Sequence, residues 1–309
     1  MPFLDTISSF GHLNDAIAHY NAAFDIIDGN HSKVDVCQSL FNCLNKIQTE
    51  LVQTKRLHLR EGEAFSKMIL NILDENPASE DFLLKSTEIQ KFSELIPPIL
   101  DHSVLRKGKY RPDREMSQEL ATKSYEQHRI LKQFVKKYHN TEIAPREVLK
   151  QTSRVLYIIR SNIAHGEKTP YGPDLQKVKR DQIVSEVTIP LQILLIDLLL
   201  NRPSEKFVSY GTLLPQGSNQ SILSQLQGSW EKCSIQGTIE KDEYGFLLFK
   251  WDLSGEVNEA QLFSSEKLPE KWAELDRFEG NQYKRRLIPV RRSDGKIRIA
   301  NIYVKNQAL

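Results

Sequence analysis

"NRPSEKFVSYGTLL" (201–214) is where the chain changes its repeat. Upstream, apolar residues recur three and four positions apart, the spacing of an amphipathic helix. "LNDAIAHYNAAFDIID" (13–28) has that spacing, and in "VDVCQSLFNCLNKIQTELVQ" (34–53) it puts Val36, Leu40, Cys43, Leu44, Ile47 and Leu51 on one stripe. The same period predicts helices near 62–75, 114–138, 143–165 and 174–201, with loops and short helices over 76–113. Pro203 stops the last of these, because it has no N–H to donate and its ring obstructs the preceding turn. Downstream the pattern turns β-branched and aromatic. "FVSYGTLL" predicts a strand running into a glycine turn. "TIEKDEYGFLLFKWDL" predicts a hairpin turning near Tyr244-Gly245, and "YKRRLIPVRRSDGKIRIANIYV" two strands around Asp294-Gly295. A single helix, "LPEKWAELDRF" (268–278), interrupts that half. The expectation is an all-α helical bundle over 1–202 followed by a small mixed β-barrel-like domain, α+β, over 203–309.

Composition narrows the class. Hydrophobic residues at 39% and charged residues at 27% are those of a folded chain, and 309 residues suffice for two domains. Three scattered cysteines (Cys37, Cys43 and Cys233) provide neither a disulfide framework nor a zinc cluster, and read as reduced thiols of a cytoplasmic protein. "MPFLDTISSFGHLND" carries an early Asp and no basic start, so no signal peptide is expected. The longest apolar run, "IPLQILLIDLLL" (189–200), is too short for a bilayer and reads as a core helix. A net charge of +2 leaves any nucleic-acid case to local patches. No cofactor or metal is expected.

Two stretches carry chemistry-bearing residues. The first is "RSNIAHGEK" (160–168), at the end of a helical run. On a straight helix Arg160 and His165 diverge by roughly 140°, whereas Asn162 and His165 share a face. Gly166 suits the position just past a helix end, which places His165 in the last turn. An imidazole there can take a proton from a ribose 2′-hydroxyl or give one to a leaving oxygen, and a guanidinium can hold the phosphate between them. That chemistry needs no metal. "LRKGKYRPDR" (105–114), with Tyr110 available for stacking, and "KVKR" (177–180) offer cations to a phosphate backbone. By spacing alone, a polar helix end and solvated loops explain the same residues.

"YIIRSNIAHGEKTPYG", followed by an apolar helix, resembles the HEPN superfamily, whose motif is Arg, four to six residues, then His. Arg160, Asn162, His165 and Gly166 match it. The resemblance implies a metal-independent endoribonuclease, a homodimer whose Arg–His motifs face across the interface, and a catalytic set of Arg160, His165 and Asn162. In toxins silenced by nucleotidylation of a tyrosine, that tyrosine stands two residues after the histidine; here the position holds Glu167.

The second is "VSYGTLL" together with "ELDRFEGNQYKRR". Gly211, directly after a strand, permits a tight turn that aims backbone N–H groups into a cavity. Glu279 ends the 268–278 helix, with Gly280 as its cap. The negative end of the helix dipole, and burial beside Phe278, would both raise its pKa towards that of a general base. An ordinary strand-end turn and a solvated helix end are the plainer explanations. Residues 283–305 hold many Lys and Arg against the single acid Asp294, either an RNA-binding face or the polar side of exposed strands.

"YGTL" and "LDRFEG", with Tyr283 and Arg285 following, resemble the γ-glutamylcyclotransferase-like family over about 206–304. The resemblance implies that Tyr210, Gly211, Thr212 and Leu213 form the loop that binds a γ-glutamyl head. Glu279 then moves a proton from the α-amine, which attacks the γ-amide carbonyl and releases 5-oxoproline. Tyr283 and Arg285 join the substrate-binding set. The family's Gly-x-Leu-Tyr strand is replaced here by "EAQLF" (259–263), with Ala260 in the glycine place and Phe263 in the tyrosine place.

The leading expectation is a HEPN-type ribonuclease, a toxin or defence effector acting on RNA, with the second domain as sensor, regulator or second enzyme. The alternative is a γ-glutamylamine cyclotransferase, acting on a γ-glutamyl small molecule, whose helical domain only dimerises it. An inactive scaffold is the third.

Overall fold

The computed structural model describes residues 3–6, 11–28, 32–77, 79–94, 115–164, 183–241, 243 and 245–306. The chain divides into two compact units, one of Gly11–Leu199 and one of Met1–Phe10 with Leu200–Leu309. The sequence places all of 1–202 in the helical domain, but the first described helix, α1 (Phe3–Thr6), groups with the C-terminal unit. Its buried Asp5 explains why: Arg298 donates to that carboxylate at 2.5 Å and Lys296 lies 3.8 Å away. A four-residue helix has too few positions for its period to reveal such a partner.

The helical unit comprises α2 (Gly11–Asp28), α3 (Lys33–Thr54), α4 (Glu61–Glu75), α5 (Ser79–Leu84), α6 (Thr87–Glu94), α7 (Glu115–His139), α8 (Pro145–Ala164) and α9 (Ile189–Leu199). All six stripe residues expected on α3, Cys43 among them, are buried, and so is Cys37. Burial pushes both thiols far above the usual range, so they pack as small hydrophobes. Ser32 caps α3 by accepting from the Val34 N–H at 3.2 Å. A π-helical turn, Ile183–Thr188, runs into α9. It sits just before Pro190, which can donate no helical hydrogen bond, so the wider turn falls where the ladder is already interrupted. Ile189, Leu191, Leu195, Ile196 and Leu199 are buried, as expected of a core helix. Among the described residues no helix is long and apolar enough to cross a membrane. The basic stretches 105–114 and 177–180 lie outside the described residues.

The C-terminal unit is a barrel. Its strands are β1 (Lys206–Ser209), β2 (Ser229–Lys241), β3 (Leu247–Trp251), β4 (Val257–Ser264), β5 (Tyr283–Arg292) and β6 (Ile297–Lys305). Their order is β3-β2-β4-β1-β6-β5, and β5 returns to β2 through the pairs Cys233–Arg292 and Ser234–Arg291. Five strands therefore close on themselves, and β3 extends the long strand β2 beyond the ring. Pairing is antiparallel except between β1 and β6. Gly245 and Gly295 take φ of +85° and +80°, so both expected hairpin turns rest on glycine in the left-handed region.

Alternation along the strands builds two cores. Val208, Ile235, Leu262, Ile288, Val290, Ala300 and Ile302 fill the ring. On the opposite face, Phe207, Phe263 and Tyr303 pack with Leu268, Trp272 and Leu275. The last two belong to α11 (Trp272–Glu279), which follows a 3₁₀ turn, Leu268–Lys271, and the short helix α10 (Ser221–Ser224). The second core thus holds α11 against β1 and β6. Trp272 also donates its indole N–H to the Ser204 carbonyl at 2.8 Å. The helix that ends at Glu279 is pinned along one side.

Candidate active site

A cavity of about 680 Å³ opens between the segment after β1 and the end of α11. Its floor is made by Phe207, Ser209, Leu213 and Tyr303, each at most 4% exposed. Its rim includes the exposed Lys241, Phe246 and Phe278. Glu279, half-buried, stands on the wall.

Glu279 is the group with a perturbed charge. Burial raises its carboxyl from 4.5 to about 7. Burial, one of the two causes expected, accounts for it; Phe278 is itself 44% exposed and lines the cavity. Among the described residues the carboxylate takes no hydrogen bond and pairs with no cation. Gly280 caps the helix with φ +69°, its N–H donating to the Asp276 carbonyl at 3.1 Å.

Facing it is Tyr210-Gly211-Thr212-Leu213. The Tyr210 hydroxyl donates to the Tyr303 carbonyl at 2.9 Å and accepts from the Phe249 N–H at 3.2 Å. Burial pushes its phenol well above the usual range. A substrate-binding role was expected of Tyr210. Its hydroxyl is instead committed to the scaffold, and what it offers the cavity is a fixed ring that anchors the loop. Gly211 also differs from expectation. Its φ lies outside the left-handed region, and a Cβ added to it would meet nothing within 4 Å. Neither the turn nor the protein's packing requires glycine there. Among the described residues the N–H groups of Gly211, Thr212 and Leu213 find no acceptor. Leu213 is 3% exposed and forms part of the second core.

Tyr283 lines the cavity and donates to the Leu247 carbonyl at 3.1 Å. Arg285, expected beside it as a substrate ligand, is not in the wall. It forms a two-pronged ion pair with Asp276, at 2.9 and 3.1 Å, and its guanidinium lies 4.4 Å from the centre of the Trp272 ring. Tyr303 donates to the same Asp276 carboxylate at 2.7 Å. Asp276 is one turn before Glu279, so Arg285 and Tyr303 fasten the helix that carries the acid. Sequence reading missed this clamp, although the i, i+3 relation of Asp276 to Glu279 was there to be seen. Phe263, in the tyrosine place of the resembled strand, is buried 4.9 Å from the Trp230 ring and does not reach the cavity.

The Arg160 end of α8 has a different character. Arg160 donates to Glu61 at 2.6 Å and lies over the Tyr157 ring at 5.3 Å. Tyr157 donates to the other Glu61 oxygen at 3.3 Å. Asn162 is placed on α8, but its side chain and all of His165 lie outside the described residues. The basic strands β5 and β6 are largely spoken for as well: Arg292 pairs with Glu231 at 2.6 Å, and Arg298 with Asp5. Among the described residues no group of three or more His, Cys, Asp or Glu is placed to hold a metal ion.

Residues 207–309 match the family described as gamma-glutamyl cyclotransferase, AIG2-like. They make up the closed barrel, α11 and the cavity. The C-terminal unit is thus a cyclotransferase-like domain joined to a helical region. Among solved structures, YkqA from Bacillus subtilis is similar at 22% identity with a TM-score of 0.28. The match covers 33% of this chain and 36% of YkqA. Comparison with curated proteins gives no match.

Proposed function

We propose that the C-terminal unit is a γ-glutamylamine cyclotransferase with Glu279 as its general base and acid. The observation that carries this reading is a half-buried, unpaired carboxylate, raised to about 7, in the same cavity as the ligand-free N–H groups of residues 211–213. An acid poised near neutrality accepts and returns a proton with little loss at either step. The γ-glutamyl group lies with its γ-carbonyl oxygen towards those N–H groups. Glu279 takes a proton from the α-ammonium, and the freed amine attacks the γ-carbonyl carbon to form a five-membered ring. Charge gathering on the oxygen is met by the backbone donors. Glu279 then gives the proton to the amide nitrogen, the ring nitrogen loses its second proton to solvent, the C–N bond breaks, and 5-oxoproline and a free amine leave. Tyr210 and Tyr283 shape the walls, and Arg285 with Asp276 hold α11 in register. The test is release of 5-oxoproline from γ-glutamyl amides by purified protein. Wild type is expected to release it; Glu279→Gln is expected to release about 10²–10⁴-fold less.

For the helical unit a metal-independent ribonuclease acting on RNA, with Arg160, Asn162 and His165 as its set, is the second reading. One observation favours it: the Arg160 guanidinium is held in a single orientation by Tyr157 and by the largely exposed carboxylate of Glu61, a place a phosphate can take over. The toxin or defence role and a sensing role for the barrel stand or fall with it, whereas two-fold pairing of helical units is common to both readings. His165→Ala is expected to abolish any RNA cleavage by the full chain.

A further inference from the structure

Ser209, the last residue of β1, is the polar exception on a buried stretch of strand. Phe207 and Ser209 line the cavity, while Val208 between them fills the ring, so alternation turns both of their side chains to the cavity face. Ser209 is 3% exposed, and among the described residues its hydroxyl has no hydrogen-bond partner. A buried hydroxyl left in that state costs stability that alanine, in the same space, would not. The tyrosines of the lining are committed to the fold. Tyr303 donates to Asp276, Tyr210 to the Tyr303 carbonyl and Tyr283 to the Leu247 carbonyl. Among the described residues, Ser209 is therefore the one buried side-chain donor of the cavity that the fold does not use.

Resting on the cyclotransferase reading above, we infer that Ser209 is a substrate-binding residue that selects the α-carboxylate of the γ-glutamyl head by donating a hydrogen bond to it. The head has three polar groups. Glu279 meets the α-ammonium and the N–H groups of residues 211–213 meet the γ-carbonyl oxygen, which leaves the α-carboxylate. A carboxylate brought out of water needs donors. Arg285, the cation expected among the substrate ligands, is held by Asp276 and lies outside the wall. Ser209 supplies a neutral donor in its place, and an O–H bonded to a carboxylate is short and strong. A hydroxyl with no partner in the free protein gives up no bond when it turns to the substrate. Ser209 takes no part in the bond changes, whose steps are those given above.

The experiment pairs a γ-glutamyl amide that the full chain cleaves with the 4-aminobutyryl amide of the same amine. The second compound closes to 2-pyrrolidinone by the same steps but has no carboxylate. Ser209→Ala is expected to lose about 10–100-fold in kcat/KM on the γ-glutamyl amide, the worth of one hydrogen bond to a charged group, and less than about threefold on the other. The loss should fall in KM more than in kcat. Inhibition by 5-oxoproline and by 2-pyrrolidinone reads the same ratio without turnover of the poorer substrate: the variant should bind the first more weakly and the second as wild type does. The free variant should melt no lower than wild type, because it sheds a buried hydroxyl that nothing bonds; a hydroxyl that served only the fold would lower the melting temperature instead. Equal losses on both amides, no loss on either, or a lower melting temperature with the preference for the carboxylate kept, overturn the inference and leave the cyclotransferase intact. No 5-oxoproline from any γ-glutamyl amide with wild type overturns the cyclotransferase itself.

Discussion

Glu279 and Arg160 each lie near the end of a helix, each in its own unit, and their surroundings are opposites. Glu279 is half-buried, has no partner among the described residues and is raised to about 7. Arg160 has a carboxylate at 2.6 Å and an aromatic ring beneath it. Folding alone gives no reason to keep the first arrangement, because a desolvated carboxyl without a hydrogen bond costs stability. The second is the ordinary way to satisfy a cation. Arg285 sharpens the lesson. It too was expected to hold a substrate, and it too is found clamped by a carboxylate, Asp276, over an aromatic ring, Trp272. An unsatisfied group facing a cavity points to chemistry more strongly than a motif residue whose valences are filled.

Glu279→Gln should break the comparison most severely, because it removes the one group whose state the cavity has altered. Besides the rate loss given above, pH should separate the roles. The working base is the ionised carboxylate, so kcat/KM of wild type should rise with pH through about 7. Stability should run the other way. The folded carboxyl binds its proton more tightly than the unfolded one, at about 7 against 4.5. Its contribution to stability is therefore complete below 4.5 and is lost as pH climbs to 7. Melting temperatures across that window should show this slope in wild type and lack it in Glu279→Gln. A slope unchanged by the substitution would mean that Glu279 is solvated like any surface acid.

Gly211→Ala should have the next largest effect, and on activity alone. An added Cβ meets no protein atom within 4 Å and the backbone tolerates it, so stability should change by no more than about 0.5 kcal/mol. A methyl group in the space beside the glutamyl head should nevertheless lower kcat/KM about 10–100-fold. Gly280→Ala is the counterpart: with φ +69° it should cost about 1 kcal/mol in stability. If Gly211→Ala loses stability and keeps activity, the loop is an ordinary turn.

Arg285→Met should act through Glu279. Loss of the two-pronged bond to Asp276 and of the stacking on Trp272 frees the end of α11 and lets water reach the acid. kcat should fall by about fivefold with KM little changed, and the rising limb of the pH profile should move below 7. A substrate ligand would instead raise KM and leave the limb in place.

The parts legible in the sequence were those that local physics fixes. Gly245 and Gly295 mark hairpins because only glycine enters the left-handed region cheaply there, and the α3 stripe marks a core because its spacing matches the helix period. Glu279 was legible as a carboxyl at a capped helix end. What stayed hidden was set by pairing across distance. The long start of β2, the ring closure through Cys233–Arg292 and the fate of Arg285 depend on partners tens of residues away. The resemblance made Arg285 a substrate ligand along with Tyr283, yet its guanidinium meets Asp276 of α11. Asp5 held no signal at all until β6 lay beside it.

Glu61→Gln should give the smallest effect and test the other half of the comparison. The pair with Arg160 is partly exposed, 58% on the glutamate side, so its removal should cost no more than about 1 kcal/mol. What changes is the availability of the guanidinium. If Arg160 serves a phosphate, Glu61 competes with RNA for it, and Glu61→Gln should strengthen binding of a short single-stranded RNA by a few-fold, with the gain growing as salt is lowered. Any cleavage should rise in step and should vanish in Glu61→Gln with His165→Ala, while chelators leave it unchanged. If RNA binding is indifferent to Glu61, then Arg160 is doing in the helical unit what Arg285 does in the barrel, fixing one helix to another through a carboxylate and a ring.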